Sequence, residues 1–371
     1  MEFIDLKSQQ KRIRRKIDSR IRNILNHGKY IMGPEVFELE EMLSEYVGVN
    51  HCISCSSGTD ALLIPLMAKG IGPGDAVFTT PFTYVATAEV ISLLGAHPIF
   101  VDVYPMTFNI DPSRIKKAIE YSIQKNLNPK AIIAVDLFGL PARYRLLEKI
   151  AEENNLFLIQ DTAQGFGSMV KGKKAGSFGD VASTSFFPAK PLGCYGDGGA
   201  IFTNDANLAE SMKSIRVHGS SGLDKYSNTR IGINGRLDTI QAAILIEKLS
   251  IFDDELILRN KISNYYNDKI KSDFKKQHIP KDYFSSRAQY SILADSEDHR
   301  KDIISLLNKN NIPSMIYYKT PLHLQVAFEN LDNKAGDYKI SEKLSKQIFS
   351  LPMHPYLTTE DQDMIIGVIN G

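Results

Sequence analysis

The chain has 371 residues, enough for a large core and two lobes, since single cores stop growing near roughly 250 to 300 residues. Its 44 basic and 43 acidic residues give a formal net charge of +1, which indicates neither a nucleic-acid nor a polyanion partner. The sequence begins without a basic-then-apolar leader and has no run of about 18 apolar residues, so we expect a cytoplasmic protein without a membrane span.

An amphipathic helix is the first predicted element. Its apolar residues recur at helical spacing, at Ile13, Ile17, Ile21 and Ile24, and Gly28 provides a stop. We expect this helix to pack on one of the lobes or on a partner subunit.

Short apolar runs alternate with helix-length segments from about residue 50 to 205. This alternation is typical of parallel strands joined by crossover helices, and it predicts an α/β fold with a buried, mostly parallel sheet. Seven strands are predicted, at residues 52–55, 76–79, 98–102, 131–136, 157–161, 182–186 and 200–203. Ligands of such sheets bind beyond the carboxyl ends of the strands.

The second half of the chain has a different pattern. A long helix is predicted from Arg236 to about Asn267, followed by mixed segments rich in Lys, Asp and Asn. We therefore predict a large domain over residues 1–249 and a small C-terminal domain over residues 250–371.

Three cysteines make a disulfide framework improbable. Cys52 and Cys55 have Cys-x-x-Cys spacing, but only Cys194 remains to help and a closed zinc site requires four ligands. We interpret the pair as part of a strand and predict no metal site.

The segment Ser56-Ser57-Gly58-Thr59 follows a strand and opens a helix. Free backbone N–H groups and the helix dipole attract anions at such a place, and a glycine allows close approach. This predicts a phosphate site at Ser57, Gly58 and Thr59. An ordinary helix cap is the alternative, because Ser is favoured at that position without any ligand.

Asp161 ends an apolar run, where burying a carboxylate is costly unless a cation meets it. A cationic partner and a cap for a helix beginning near Ala163 are the two interpretations. Gln164 lies one turn further along the chain.

Lys190 lies among Phe186, Phe187, Pro188 and Leu192, so we expect its amine to be desolvated, to have a lowered pKa and to act as a nucleophile. A phosphate site, an acid and such an amine together are what pyridoxal 5'-phosphate (PLP) requires. Its phosphate must be anchored, its ring nitrogen kept protonated and its aldehyde held by an amine.

Further contacts to PLP follow from the same pattern. Tyr84 lies just after a predicted strand and is placed to stack on a planar ring, with Phe82 as its rival. Ser185 can add a hydroxyl to the phosphate, and the Gln164 amide can donate to the cofactor's phenolic oxygen.

Four motifs, at residues 57–62, 83–87, 161–164 and 185–190, resemble the DegT/DnrJ/EryC1/StrS family of nucleotide-sugar aminotransferases. The resemblance runs from the first residues to Pro355. It implies the fold type I of PLP enzymes, that of aspartate aminotransferase, with a seven-stranded large domain and a smaller α+β domain. It also implies the PLP contacts already named: Ser57, Gly58, Thr59, Tyr84, Asp161, Gln164, Ser185 and Lys190, with Lys190 catalytic.

The resemblance further implies a homodimer with shared active sites. Asn234 matches the family position that reaches the neighbouring subunit's phosphate, and Arg236 would face the sugar. The similarity is greatest to 3-aminotransferases acting on UDP-2-acetamido-2-deoxy-3-oxo-glucuronate and related 3-oxo sugars. Lys319 stands where many of them have proline. The remaining implied substrate contacts are Tyr30, Tyr317, Tyr318 and His323.

The implied reaction is a ping-pong transamination from L-glutamate to a UDP- or dTDP-linked keto-sugar, in amino-sugar, surface polysaccharide or O-antigen synthesis. Lys190 favours it over deoxygenation, because the family's dehydratases carry histidine there. The alternatives are a 4-aminotransferase acting on a 4-keto-6-deoxy sugar and a non-catalytic PLP-binding regulatory protein. A nicotinamide-dependent oxidoreductase is disfavoured, since no Gly-x-Gly-x-x-Gly follows the first strands.

Overall fold

The computed structural model describes residues 1–222 and 227–371. The helices of this part are α1 Leu6–His27, α2 Pro34–Val47, α3 Gly58–Ala68, α4 Ala86–Leu93, α5 Ile115–Gln124, α6 Tyr144–Glu153, α7 Ala206–Arg216, α8 Thr239–Lys269, α9 Glu297–Lys309, α10 Lys339–Gln347 and α11 Thr359–Asn370. The strands are β1 His51–Cys55, β2 Asp75–Thr79, β3 His97–Phe100, β4 Asn128–Val135, β5 Phe157–Asp161, β6 Met169–Val170, β7 Lys173–Lys174, β8 Val181–Ser185, β9 Gly199–Thr203, β10 Lys275–Lys276, β11 Tyr283–Phe284, β12 Tyr290–Leu293 and β13 Ile348–Leu351.

The central sheet has seven strands in the order β1-β9-β8-β5-β4-β2-β3. Neighbouring strands from β8 to β3 pair in parallel, whereas β9 runs antiparallel to both β8 and β1. The predicted α/β class and mostly parallel sheet are confirmed. All seven predicted strands are present, each with boundaries within a few residues of the prediction.

Apolar residues cover both faces of this sheet. Ile133, Ile159 and Ile201 pack with α3 and α7 residues on one face. Ile132 and Leu158 pack on the other face with α5 and α6 residues. Because β2, β4, β5 and β8 are parallel, their carboxyl ends share one edge of the sheet, and this edge holds the site.

Helix α1 ends at the predicted glycine stop. The Asp5 carboxylate accepts from the Ser8 N–H at 2.9 Å at its start, and Gly28 ends it with a φ of 70°. Its Ile13 and Ile17 side chains pack against Ile244 of α8. The helix therefore packs on this chain's own core, one of the two expected arrangements.

Helix α8 contributes to two separate hydrophobic cores. Its first half, including Leu245, belongs to the core beside the central sheet, whereas Ile262 and Tyr266 belong to a second core. That second core includes a three-stranded sheet, β10-β12-β13, which is antiparallel. The predicted division at residue 249 falls inside this continuous helix, so the two-domain boundary stays a proposal.

Cys52, Cys55 and Cys194 are free and buried. Cys52 and Cys55 lie in β1, as the strand interpretation predicts, and burial raises the pKa of the Cys194 thiol to about 11. Within residues 1–222 and 227–371, no helix has both the length and the apolar character needed to span a membrane.

Candidate active site

A pocket of about 350 Å³ lies at the carboxyl ends of the parallel strands. It brings together ten of the residues singled out from the sequence: Ser57, Gly58, Thr59, Tyr84, Asp161, Gln164, Ser185, Lys190, Tyr317 and Tyr318. They come from strand ends and helix starts that are far apart in the chain. Thus the parallel sheet assembles most of the predicted site at one place.

One end of the pocket is formed by the start of α3. Ser57 caps this helix, since its Oγ accepts from the Asp60 N–H at 3.0 Å. The next two residues, Gly58 and Thr59, line the pocket with backbone N–H groups that precede the first intrahelical donor. The predicted cap is therefore present, and it leaves the helix start able to meet an anion.

Gly58 lies against Ser185 at the end of β8. A Cβ on this glycine would come within 2.5 Å of the Ser185 Cβ and 2.8 Å of its Oγ. The helix start and the serine hydroxyl thus converge only because this position has no side chain.

Asp161 lies at the end of β5 and is only 5% exposed. Its carboxylate accepts from the Thr87 hydroxyl at 3.0 Å and from the Ala163 N–H at 3.2 Å. Burial raises the pKa of Asp161, and these two donors and the Lys190 charge oppose that rise. The residues after Asp161 form a turn, so the carboxylate does not cap a helix there.

Lys190 is a cation whose charge acts on the Asp161 carboxylate. Burial lowers the pKa of the Lys190 amine, and the Asp161 charge opposes this lowering. The pocket therefore holds an amine shifted towards its neutral, nucleophilic form beside a buried carboxyl group.

The Gln164 side chain is held from both sides. Its Oε1 accepts from the Phe138 N–H at 2.6 Å, and its Nε2 donates to the Tyr318 hydroxyl at 3.0 Å. Phe138 adopts a φ of 58°, which few non-glycine residues do. These contacts direct the amide N–H side of Gln164 towards the pocket.

Of the two rival aromatic residues, Tyr84 lines the pocket and Phe82 does not. Tyr84 is 58% exposed and lines the cavity. Phe82 is fully buried and packs edge-on against the Tyr318 ring, with centroids 6.0 Å apart. Phe82 supports the wall of the pocket from behind.

Comparison with known proteins identifies the family. A model described as the DegT/DnrJ/EryC1/StrS aminotransferase family matches residues 11–370. The chain belongs to this family. The predicted PLP-dependent sugar-aminotransferase class is confirmed.

Three similar proteins place the aminotransferase more closely. UDP-2-acetamido-2-deoxy-3-oxo-D-glucuronate aminotransferase from Pseudomonas aeruginosa is 46% identical over 100% of both chains. A crystal structure of a DegT DnrJ EryC1 StrS aminotransferase from Brucella abortus has a TM-score of 0.96 at 50% identity, covering 100% of this chain and 99% of that one. NtdA from Bacillus subtilis, solved with bound cofactor PMP, has a TM-score of 0.89 at 29% identity, covering 99% and 82%.

The pocket of the aminotransferase fits PLP. The helix start beside the bare Gly58 suits the phosphate. Asp161 is a buried carboxylate for a ring nitrogen, and Lys190 is an amine for the aldehyde. These groups supply the three things that PLP requires: a phosphate anchor, an acid for the ring nitrogen and an amine for the aldehyde.

Three predicted site residues of the aminotransferase do not line this pocket and lie together on a neighbouring surface: Tyr30, Asn234 and Arg236. The Tyr30 carbonyl accepts from the Thr239 N–H at 3.0 Å, which holds the Tyr30 loop beside the start of α8. Arg236 precedes the same helix and donates to the side-chain oxygen of Asn234. Tyr30 and Asn234 are exposed there.

His323 is the fourth predicted residue that the structure does not bring to the pocket. His323 is only 2% exposed. Its Nε2 lies 3.1 Å from the Glu342 Oε1, and its ring packs edge-on against the Tyr338 ring. Burial lowers the pKa of His323, and the hydrogen bond to Glu342 opposes this. The short turn at Leu322–Leu324 directs this side chain into the protein.

Sequence reasoning missed several residues that line the pocket, among them Thr87, Asp197 and Gln289. Thr87 had a signal, since it belongs to the motif at residues 83–87 that carries the family resemblance. Gln289 had none, because it reaches the pocket from the loop before β12 of the smaller sheet.

Proposed function

We propose that this aminotransferase moves the amino group of L-glutamate to a nucleotide-linked keto-sugar, in amino-sugar and surface polysaccharide synthesis. A UDP- or dTDP-linked 3-oxo sugar is favoured, because the 46% identical relative is named for a UDP-linked 3-oxo sugar. The observation that carries the proposal is the placement of Lys190 and Asp161 at one pocket, where each charge shifts the other's pKa.

Lys190 Nζ is the proposed proton carrier. Because burial lowers the pKa of this amine, a neutral Nζ can take the proton from Cα of L-glutamate. When bound, PLP supplies a sink for the electron pair that this proton leaves behind. Nζ then returns the proton, water supplies the oxo oxygen of 2-oxoglutarate, which leaves, and the amino group stays with the enzyme. The keto-sugar accepts this amino group in the reverse sequence, and its oxo oxygen leaves as water.

The other pocket residues have proposed holding roles. Asp161 pairs with the ring nitrogen, and the Gln164 amide donates to the phenolic oxygen. Tyr84 stacks on one ring face. The phosphate is held by Ser57, Gly58, Thr59 and Ser185.

The proposed substrate contacts are Tyr317 and Tyr318, which line the pocket, together with Tyr30 and Arg236 on the neighbouring surface. His323 is left out, because its ring is buried against Glu342. We propose a homodimer in which Asn234 reaches the phosphate of the neighbouring subunit. Asn234 is exposed, and the carbonyl of the next residue, Gly235, accepts from the Ser56 N–H at 3.0 Å, which places it near the start of α3 and supports this assignment.

A subunit-mixing experiment tests the shared site. Lys190→Ala and Asn234→Ala are purified separately, then unfolded and refolded together. If Asn234 serves the neighbouring site, about one quarter of the wild-type activity returns, because half of randomly mixed dimers are mixed and each has one intact site. No return of activity, with mixed dimers verified by mass spectrometry, would place Asn234 at its own subunit's site.

The reaction itself is tested by the absorbance of the purified protein with L-glutamate, followed by UDP- and dTDP-linked 3-oxo and 4-oxo sugars. The proposal predicts a spectral change with glutamate that a 3-oxo sugar reverses. Reversal by a 4-keto-6-deoxy sugar alone would favour the 4-aminotransferase. A PLP spectrum that no amino donor changes would favour the non-catalytic regulatory protein. The cytoplasmic location stays a prediction.

A further inference from the structure

Two buried threonines form a chain of hydrogen bonds that ends at the Asp161 carboxylate. Thr83 and Thr87 are 2% and 1% exposed, and both line the pocket together with Asp161. The Thr87 Oγ1 donates to the Asp161 Oδ2 at 3.0 Å, and the Thr83 Oγ1 lies 3.2 Å from the Thr87 Oγ1. We call this chain of two hydroxyls and one carboxylate the threonine relay.

The donor and the acceptor of each hydrogen bond in the threonine relay follow from the protons that the three groups carry. An ionised carboxylate only accepts, so the single hydroxyl proton of Thr87 must go to Asp161. The contact between the two threonines can then be made only with Thr83 as donor. Both protons therefore point towards the carboxylate, an arrangement that stabilises its charged form.

A purely local role for Thr87 fits the geometry less well. Helical threonines commonly bond back to the carbonyl four residues earlier, but Thr87 is the second residue of α4 and Thr83 precedes that helix. The Thr87 hydroxyl instead contacts the Asp161 carboxylate on another element, 74 residues away in sequence. Asp161 is thereby held at Oδ2 by the hydroxyl and at Oδ1 by the Ala163 N–H.

We propose that Thr83 and Thr87 are positioning residues that keep Asp161 charged and aimed at the cofactor's ring nitrogen. The inference rests on the proposed placement of PLP in this pocket. Tyr84 lies between the two threonines in the chain, so one short segment sets both the stacking ring and the partner of the nitrogen.

The test compares two cofactors on the apoprotein. One is PLP, and the other is its 1-deaza analogue, in which a C–H group replaces the ring nitrogen. Dissociation constants are measured by fluorescence for the wild type, Thr87→Val, Thr87→Ser and Thr83→Val. Circular dichroism and the Tm of each apoprotein verify folding.

Thr87→Val removes the hydroxyl at nearly constant volume, so we expect PLP affinity to fall roughly 10-fold or more, the effect of losing a hydrogen bond to a charged group. The analogue should bind the wild type and Thr87→Val within about 2-fold of each other, because it has no nitrogen to pair. Thr87→Ser should restore PLP affinity to within about 3-fold, and Thr83→Val should show a smaller selective loss.

Three outcomes would overturn the relay. They are an equal loss of affinity for both cofactors, no loss for either, and no rescue by Thr87→Ser. If Thr87→Val does not fold, Thr83→Val and Thr87→Ser decide by the same comparison. Failure of the wild type to bind PLP would instead overturn the placement of the cofactor, so the two failures are distinguishable.

Discussion

Gly58 and Ser185 approach so closely that a Cβ on the glycine would lie 2.5 Å from the serine Cβ. The start of α3 and the end of β8 therefore meet without space for a methyl group. This contact brings backbone N–H groups and a hydroxyl to the same end of the pocket, and it accounts for a glycine in that motif.

Gly58→Ala should weaken PLP binding by roughly 10-fold or more, since overpacking typically costs about 1 to 3 kcal/mol and here displaces the phosphate end. Fluorescence titration of the apoprotein measures the effect. Gly72→Ala is the matched control, because a Cβ there would have only the Leu94 carbonyl oxygen near it, at 3.9 Å. Unchanged affinity in Gly58→Ala would exclude a phosphate at this contact.

Lys190→Ala should lose both the absorbance of covalently held PLP and turnover. The expected fall in kcat is at least about 10² to 10⁴-fold, the usual contribution of a positioned acid-base group. Spectra and 2-oxoglutarate release are the measurements. Lys171→Ala, at a side chain that is 70% exposed, serves as the control. Full turnover in Lys190→Ala would refute the proposed proton carrier.

Asp136 is expected to make the stability of the protein depend on pH. It is fully buried and accepts from the Tyr144 hydroxyl, the Gln160 amide and the Ala142 N–H at 2.7, 2.7 and 3.0 Å. Burial raises the pKa of Asp136 to about 7, against the effect of these donors. A carboxyl group whose pKa is raised on folding stabilises the protein at low pH and loses that contribution as pH rises towards 7.

Asp136→Asn should therefore flatten the fall in Tm of the apoprotein between about pH 4 and pH 7, because the amide does not ionise. Thermal unfolding across this range is the measurement. Asp298→Asn, at a side chain that is 89% exposed, should keep the wild-type profile. A wild-type profile for Asp136→Asn as well would show that another group sets the dependence.

The fold was predictable because its strands are short apolar runs between helical segments. Val181–Ser185 and Phe157–Asp161 are buried along their whole length, and Phe157, Leu158 and Ile159 give the second of these strands an apolar run. The reversal of β9 was not predictable, since an apolar run has no direction. It depends on the hairpin-like path through residues 186–198, which turns β9 antiparallel to β8.

The site was predictable where residues stand at strand ends, because parallel strands end at one edge. Asp161 and Ser185 are of this kind. Gln289 was missed, since its place in the pocket depends on how the smaller sheet packs on the larger one. His323 was expected at the substrate by resemblance alone, whereas its ring packs on Glu342 and Tyr338.

A buried ion pair ties α7 to α2 beneath the sheet. The Arg216 guanidinium donates to the Glu40 carboxylate at 2.5 Å and to the Ser54 carbonyl at 2.8 Å, and its side chain is 4% exposed. Ser54 lies in β1, which leads directly to the start of α3 at the pocket, where the phosphate is proposed to bind. Removing only the arginine leaves the Glu40 charge uncompensated, and that is the costly change.

Arg216→Met should therefore lower the free energy of unfolding by about 3 to 5 kcal/mol. Guanidinium chloride unfolding of the apoprotein measures it. Lys213→Met on the same helix breaks an exposed pair with Glu210 and should cost at most about 1 kcal/mol. Adding Glu40→Gln to Arg216→Met should recover part of the loss, because the uncompensated charge is then gone. A double variant less stable than Arg216→Met alone would show that the hydrogen bonds from the Ser54 N–H and hydroxyl to the Glu40 carboxylate outweigh its uncompensated charge.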